Sequence, residues 1–152
     1  MRLESADGQV FELRIVGYQF PEERTDPYDS NWLLMRVSAV APRGSWSFLD
    51  PCLLTDEVAG LADWFEEIAS GRPTGNLIEF IEPNLVFSLI GEDPGRRLYV
   101  HFDLASGPPW ARLSAANGGD STLRFLLTEI DLREAAISLR SQLAVHPQRG
   151  DP

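Results

Sequence analysis

The chain has 152 residues, enough for one domain with a real core, and its 43% hydrophobic and 10% aromatic content excludes a disordered protein. Its 23 acidic residues against 13 basic ones, all arginine, give a net charge of −10, which argues against direct binding of nucleic acid or of an anionic membrane surface. No apolar run approaches the roughly 20 residues of a membrane-spanning helix, the first eight residues hold no signal-peptide core, and the lone Cys52 leaves no internal disulfide to form, so the expectation is a cytoplasmic protein.

Period-2 patterns dominate the chain. Asp7-Gly8 is a hairpin turn signal, followed by Phe11, Leu13 and Ile15 alternating with Glu12 and Arg14. Residues 21–30 are polar, hold two prolines and read as a loop. A long strand is expected over about 31–41, then a turn at Pro42-Arg43-Gly44 and a short strand over 45–48 that Asp50-Pro51 ends. A helix follows, with Thr55 as N-cap, Asp56 and Glu57 in its first turn, a buried stripe of Val58, Leu61, Ala62, Phe65, Ile68 and Ala69, and Gly71 as the stop. Strands are expected at 77–81, 85–90 and 97–104, a weaker one at 110–115, and a last one marked by Leu123, Phe125 and Leu127. Turns fall at Asp93-Pro94-Gly95 and at 117–120. A second helix starts at Asp131, with Glu134 three residues on, carries Leu132, Ala135, Ala136, Leu139 and Leu143, and closes at Pro147.

Connections between many strands are short, which requires antiparallel pairing. The predicted class is α+β: a mostly antiparallel sheet of about eight or nine strands with two amphipathic helices, one domain over residues 1–147 and a flexible tail over 148–152.

Signs of catalysis are sparse. His101 and His146 stand in no zinc-ligand spacing, no nucleotide-binding loop or serine elbow occurs, and the expectation is no metal, no cofactor and no enzyme activity. Cys52 has acidic and apolar neighbours, the opposite of what a reactive thiolate needs, and reads as a buried structural thiol. Trp32 and Trp46 alternate with strand residues as core aromatics do. Trp64 lies at the edge of the first helix's stripe beside Asp63 and Glu67, where it resembles a binding hot spot.

The acidity is uneven. Between Arg43 and Arg96 lie ten acids and one arginine, Arg72, so this stretch carries −9 of the total −10. All charged residues of the first helix are acidic (Asp56, Glu57, Asp63, Glu66 and Glu67), whereas a solvated helix usually mixes signs. The pattern reads either as a solubilising surface or as a face that attracts a basic partner.

The wording of three blocks adds a resemblance. Asp29-Ser30-Asn31-Trp32-Leu33 leads through a strand to Gly44-Ser45-Trp46-Ser47; Asp50-Pro51-Cys52-Leu53-Leu54-Thr55-Asp56-Glu57-Val58 continues to Leu61-Ala62-Asp63-Trp64-Phe65; and Phe80-Ile81-Glu82-Pro83-Asn84-Leu85-Val86-Phe87 precedes Pro108-Pro109-Trp110. In this order they resemble the WapI-type immunity protein family of bacteria over residues 29–145. The resemblance implies a protein that binds and neutralises the C-terminal toxin domain of a secreted toxin. The name-giving toxin is a cell-wall-associated tRNA nuclease. A nuclease must display positive charge to RNA, so an acidic face can compete for that surface. The expected contact comprises Asp56, Glu57, Asp63, Trp64, Glu66 and Glu67, with Glu82 as an addition. A small-molecule or peptide-binding β-rich domain, and an enzyme using carboxylates alone, are the competing readings.

Overall fold

The computed structural model describes residues 1–91, 95–111 and 121–150. The chain order is β1 (Arg2–Glu4), β2 (Val10–Tyr18), β3 (Trp32–Ala41), β4 (Gly44–Leu54), α1 (Thr55–Ala69), β5 (Leu77–Ile78), β6 (Leu85–Ile90), β7 (Arg97–Phe102), β8 (Thr122–Phe125) and α2 (Glu129–Val145). The strands form two antiparallel four-stranded meanders, β1-β2-β3-β4 and β5-β6-β7-β8, and α1 joins them. The class is α+β, as expected.

Strict alternation explains how the sheets meet. Leu3, Phe11, Leu13, Ile15, Leu33, Met35, Val37 and Ala39 point inward from the first sheet, and Leu85, Phe87, Leu89, Leu98, Val100, Phe102, Leu123 and Phe125 from the second, all into one buried cluster. Phe11 packs edge-on against Phe87 (centroids 5.6 Å apart) and Phe102 (5.9 Å), and Phe65 of α1 meets Phe87 at 6.1 Å. Both helices add their stripes to this core and pack along each other.

Several boundaries differ from expectation for identifiable reasons. β4 does not stop at Asp50-Pro51; it runs on to Leu54, directly into α1. Pro51 is tolerated because, among the described residues, β4 has β3 as its one ladder partner, and because the register slips there: Leu33 faces Leu53 while Leu34 faces Pro51, leaving Cys52 as a bulge. The N-cap of α1 is Leu54, not Thr55. The cap is closed by the Glu57 carboxylate, which accepts the Leu54 N–H at 2.8 Å, while the buried Thr55 hydroxyl donates to Asn31 Oδ1 at 2.9 Å. β5 ends at Ile78 and not at residue 81, since the Ile81 N–H goes to the other Glu57 oxygen (2.7 Å). β7 ends at Phe102, where the 3-10 turn Leu104–Ser106 begins, and β8 ends at Phe125. α2 begins earlier than expected: Thr128 is the cap and Asp131 its reciprocal partner, exchanging bonds of 3.2 and 2.8 Å. Residues 112–120, with most of the weaker strand expected at 110–115 and the turn at 117–120, and residues 92–94 lie outside the described residues; Trp110 and Ala111 are not in a strand.

Near the C-terminus, residues 146–150 are packed against the first sheet. The Tyr18 hydroxyl donates to the Pro147 carbonyl, and the Arg149 guanidinium lies 3.3 Å over the Tyr18 ring. The buried Asn31 amide satisfies all its capacity here: Oδ1 accepts the Arg149 N–H (2.8 Å), and Nδ2 donates to the carbonyls of Arg149 (2.7 Å) and Pro27 (2.8 Å).

Phe87 is the side chain shared by both sheets and α1, so Phe87→Ala is expected to cost about 3–5 kcal/mol in urea denaturation, with a wholly cooperative loss of both sheets. Separate transitions for the two sheets would contradict a common core.

Candidate functional site

The polar face of α1 is the one opposite its buried stripe of Val58, Leu61, Ala62, Phe65 and Ile68. It carries acids from end to end, but the structure divides them into two groups with different surroundings.

At the N-terminal end Glu57 is half-buried and fully used, one oxygen capping α1 and the other holding the Ile81 N–H. That bond brings the loop after β5 against α1, so Asp56 and Glu82, both exposed, flank the same spot. Asp50 adds a fourth carboxylate from β4; it accepts from Asn84 Nδ2 at 3.3 Å. Asp50, Glu57 and Glu82 all act on the Cys52 thiol, which burial first and these charges next push up to about 12. None of Asp50, Asp56, Glu57 and Glu82 makes an ion pair among the described residues. The backbone N–H groups at the start of α1 and their dipole are the local positive counterweight.

Further along the helix the acids are occupied. Arg140 of α2 reaches across to both Asp63 and Glu66, with Nη2 2.5 Å from Asp63 Oδ1 and Nε 3.0 Å from Glu66 Oε1. Nη2 also donates to Glu66 Oε2 at 3.2 Å, a bidentate clasp that holds the Glu66 carboxyl below its ordinary range and the guanidinium above its own. Glu67 accepts the Thr74 N–H (3.0 Å) and hydroxyl (2.7 Å), which lower its pKa and fix the turn after α1. Glu92 and Asp93 of the acidic stretch lie outside the described residues.

Trp64 is not the exposed aromatic that its position suggested. It is 5% exposed, and its indole N–H donates to the Gly75 carbonyl at 2.9 Å, because the turn after α1 folds back over the ring. Sequence reasoning therefore places six of its seven residues on the surface of α1 and the adjoining loop, with Trp64 beneath. Arg140 was missed: no spacing rule links residues 63 and 66 to a side chain on a different helix.

Two other features bear on chemistry. On the open face of the second sheet, His101 lies between Ser88 (Nε2 to Oγ, 2.8 Å) and Thr122 (Nδ1 to Oγ1, 3.1 Å), stacked beside Tyr99. Partial burial lowers its pKa, and among the described residues hydroxyls are the partners of both ring nitrogens. Between the C-terminal end of α1, the second sheet and the start of α2 is a cavity of about 240 Å³ lined by Ile68, Leu89, Leu98, Leu127 and Leu132 and by the charged Arg96 and Glu129. Among the described residues no group of three or more His, Cys, Asp or Glu is arranged to hold a metal ion, and no helix is long and apolar enough to cross a membrane.

Two antiparallel sheets closed on one core, with a helix whose charged residues are all acidic, define an α+β domain with a candidate protein-recognition surface. The chain belongs to the WapI-like immunity protein family, whose model matches residues 2–147. No curated protein matches it.

The Cys52 shift has a direct consequence. The folded thiol stays protonated where an unfolded one ionises, so iodoacetamide at about pH 9 is expected to leave the native protein unlabelled and to label it in guanidinium. The sign of the linkage follows: a raised folded pKa favours folding below the ordinary value of 9.0, and that contribution is lost as pH rises from there towards about 12. Cys52→Ala removes this part of the alkaline slope in thermal melts.

Proposed function

We propose that this protein is a stoichiometric inhibitor, a single domain over residues 1–147, that binds and neutralises the C-terminal nuclease domain of a secreted bacterial toxin through the acidic N-terminal end of α1. Family membership supports the immunity role. The observation that carries the choice of surface is the uncompensated group of Asp50, Asp56, Glu57 and Glu82, gathered where β4 runs into α1. A nuclease presents its cationic RNA-binding surface, and carboxylates fixed on a rigid strand–helix junction meet it without an ordering cost. Asp63, Glu66 and Glu67 extend the field along the helix, damped by Arg140. The place of action is the cytoplasm, where the nuclease meets its RNA. Long-range attraction raises the rate of encounter, which matters when the target is the cell's own RNA.

The toxin domain encoded beside this gene, when co-expressed, is expected to co-purify with it at one-to-one stoichiometry and to lose its nuclease activity. In stopped-flow association at low salt, Asp56→Arg with Glu82→Arg slows capture about tenfold and flattens the salt dependence. Arg140→Gln works the other way, since it uncovers two carboxylates; the exposed ion pairs it removes are each worth under about 1 kcal/mol of stability. Association rates unchanged in both variants would remove the acidic surface from the account.

A further inference from the structure

The end of β2 and the loop that follows it hold a short peptide, and that peptide is the chain's own Arg149-Gly150. The Arg149 guanidinium lies 3.3 Å over the Tyr18 ring, and its Nη1 donates to the carbonyls of Pro21 (3.1 Å) and Glu23 (3.3 Å). Asn31 reads the backbone of the same residue twice: its Oδ1 accepts the N–H, and its Nδ2 donates to the carbonyl. Asn31 is only 3% exposed, and the fully buried Ser30 turns its hydroxyl to the same carbonyl at 3.5 Å. Gly150 follows at φ +73°, and a side chain there would meet Thr25, Pro27 and Ser30 at 3.6 Å, so the slot fits glycine in a conformation that favours it.

The loop is shaped by its own bonds. One Glu23 oxygen accepts the N–H groups of Arg24, Thr25 and Asp26 and the Thr25 hydroxyl, and Asp26 Oδ1 accepts those of Tyr28 and Asp29. None of these bonds uses the tail, so the slot keeps its form when the tail leaves. An empty slot, however, strands the buried Asn31 amide, which makes exchange of one occupant for another easier than vacancy. We propose that residues 18–31 form a recognition slot for an arginine-glycine step of a basic polypeptide, with the chain's own tail as a tethered occupant that such a polypeptide displaces. This goes beyond the inhibitory role and does not depend on it. Charge selects the ligand: residues 21–30 carry Glu22, Glu23, Asp26 and Asp29 against Arg24 alone. The planar guanidinium selects arginine over lysine, since it stacks on the ring while its N–H groups still reach the carbonyls. The slot also adjoins α1, because Asn31 Oδ1 accepts the Thr55 hydroxyl as well.

Calorimetric titration with the blocked peptide acetyl-Pro-Gln-Arg-Gly-amide, the sequence of residues 147–150, tests this on the full chain. A short tether holds the tail at an effective concentration on the order of millimolar, so the Arg149→Ala variant is expected to bind the peptide about tenfold more tightly than wild type. A peptide with lysine in place of arginine should bind that variant about tenfold more weakly. In the wild-type chain, which needs no substitution, excess peptide should speed hydrogen exchange at the Arg149 amide by freeing it from Asn31, while the amides of Thr25, Asp26 and Tyr28 stay protected. A variant that binds the peptide no better than wild type, a lysine peptide that binds equally well, or an Arg149 amide indifferent to excess peptide would each overturn the assignment.

Discussion

The edge-on contacts of Phe11 and Phe65 with Phe87 are the constraint on which the rest of the molecule depends. Phe11 comes from the first sheet, Phe87 from the second and Phe65 from the helix between them, so the three rings tie the two halves of the chain into one interior. Neither meander could bury its apolar face alone, because a four-stranded sheet needs something to cover it. Once the sheets close on each other, α1 has one orientation left: its apolar stripe inward and its acids outward. The charged surface is thus a by-product of where the aromatic rings must go.

What that surface does is set by a handful of local bonds. Glu57 is the hinge of the arrangement, since its two oxygens cap α1 and pull the loop carrying Glu82 alongside Asp56. Its two oxygens are both spent on backbone N–H groups, so it orders the junction through hydrogen bonds. Arg140 acts at the far end, binding Asp63 and Glu66 and fastening α2 to α1. The helix is evenly acidic in sequence, but its carboxylates differ in their partners: Arg140 holds Asp63 and Glu66, while Asp56 and Glu57 make no ion pair among the described residues.

Much of this was legible in the residues. Alternation of Phe11, Leu13 and Ile15 located inward-facing side chains correctly, and the stripe of α1 is the buried one. The misses share a cause: they turn on partners distant in sequence. Pro51 reads as a terminator unless the register slip against β3 is known. Thr55 reads as a cap unless Asn31, 24 residues earlier, is seen to take its hydroxyl. Trp64 reads as exposed until the turn at Gly75 covers it. The tie between Asn31 and Arg149 spans 118 residues and has no local signature. The resemblance carried the immunity assignment, which composition and spacing alone left among several classes of binding protein.

The central claim is that a basic toxin domain docks on the junction of β4 and α1. Hydrogen–deuterium exchange of the chain with and without that domain reads this directly, because docking protects the amides it covers. The account predicts protection concentrated in residues 55–63 and 80–84. Protection confined to the open face of the second sheet, around Arg97, Tyr99 and Arg124, would contradict it.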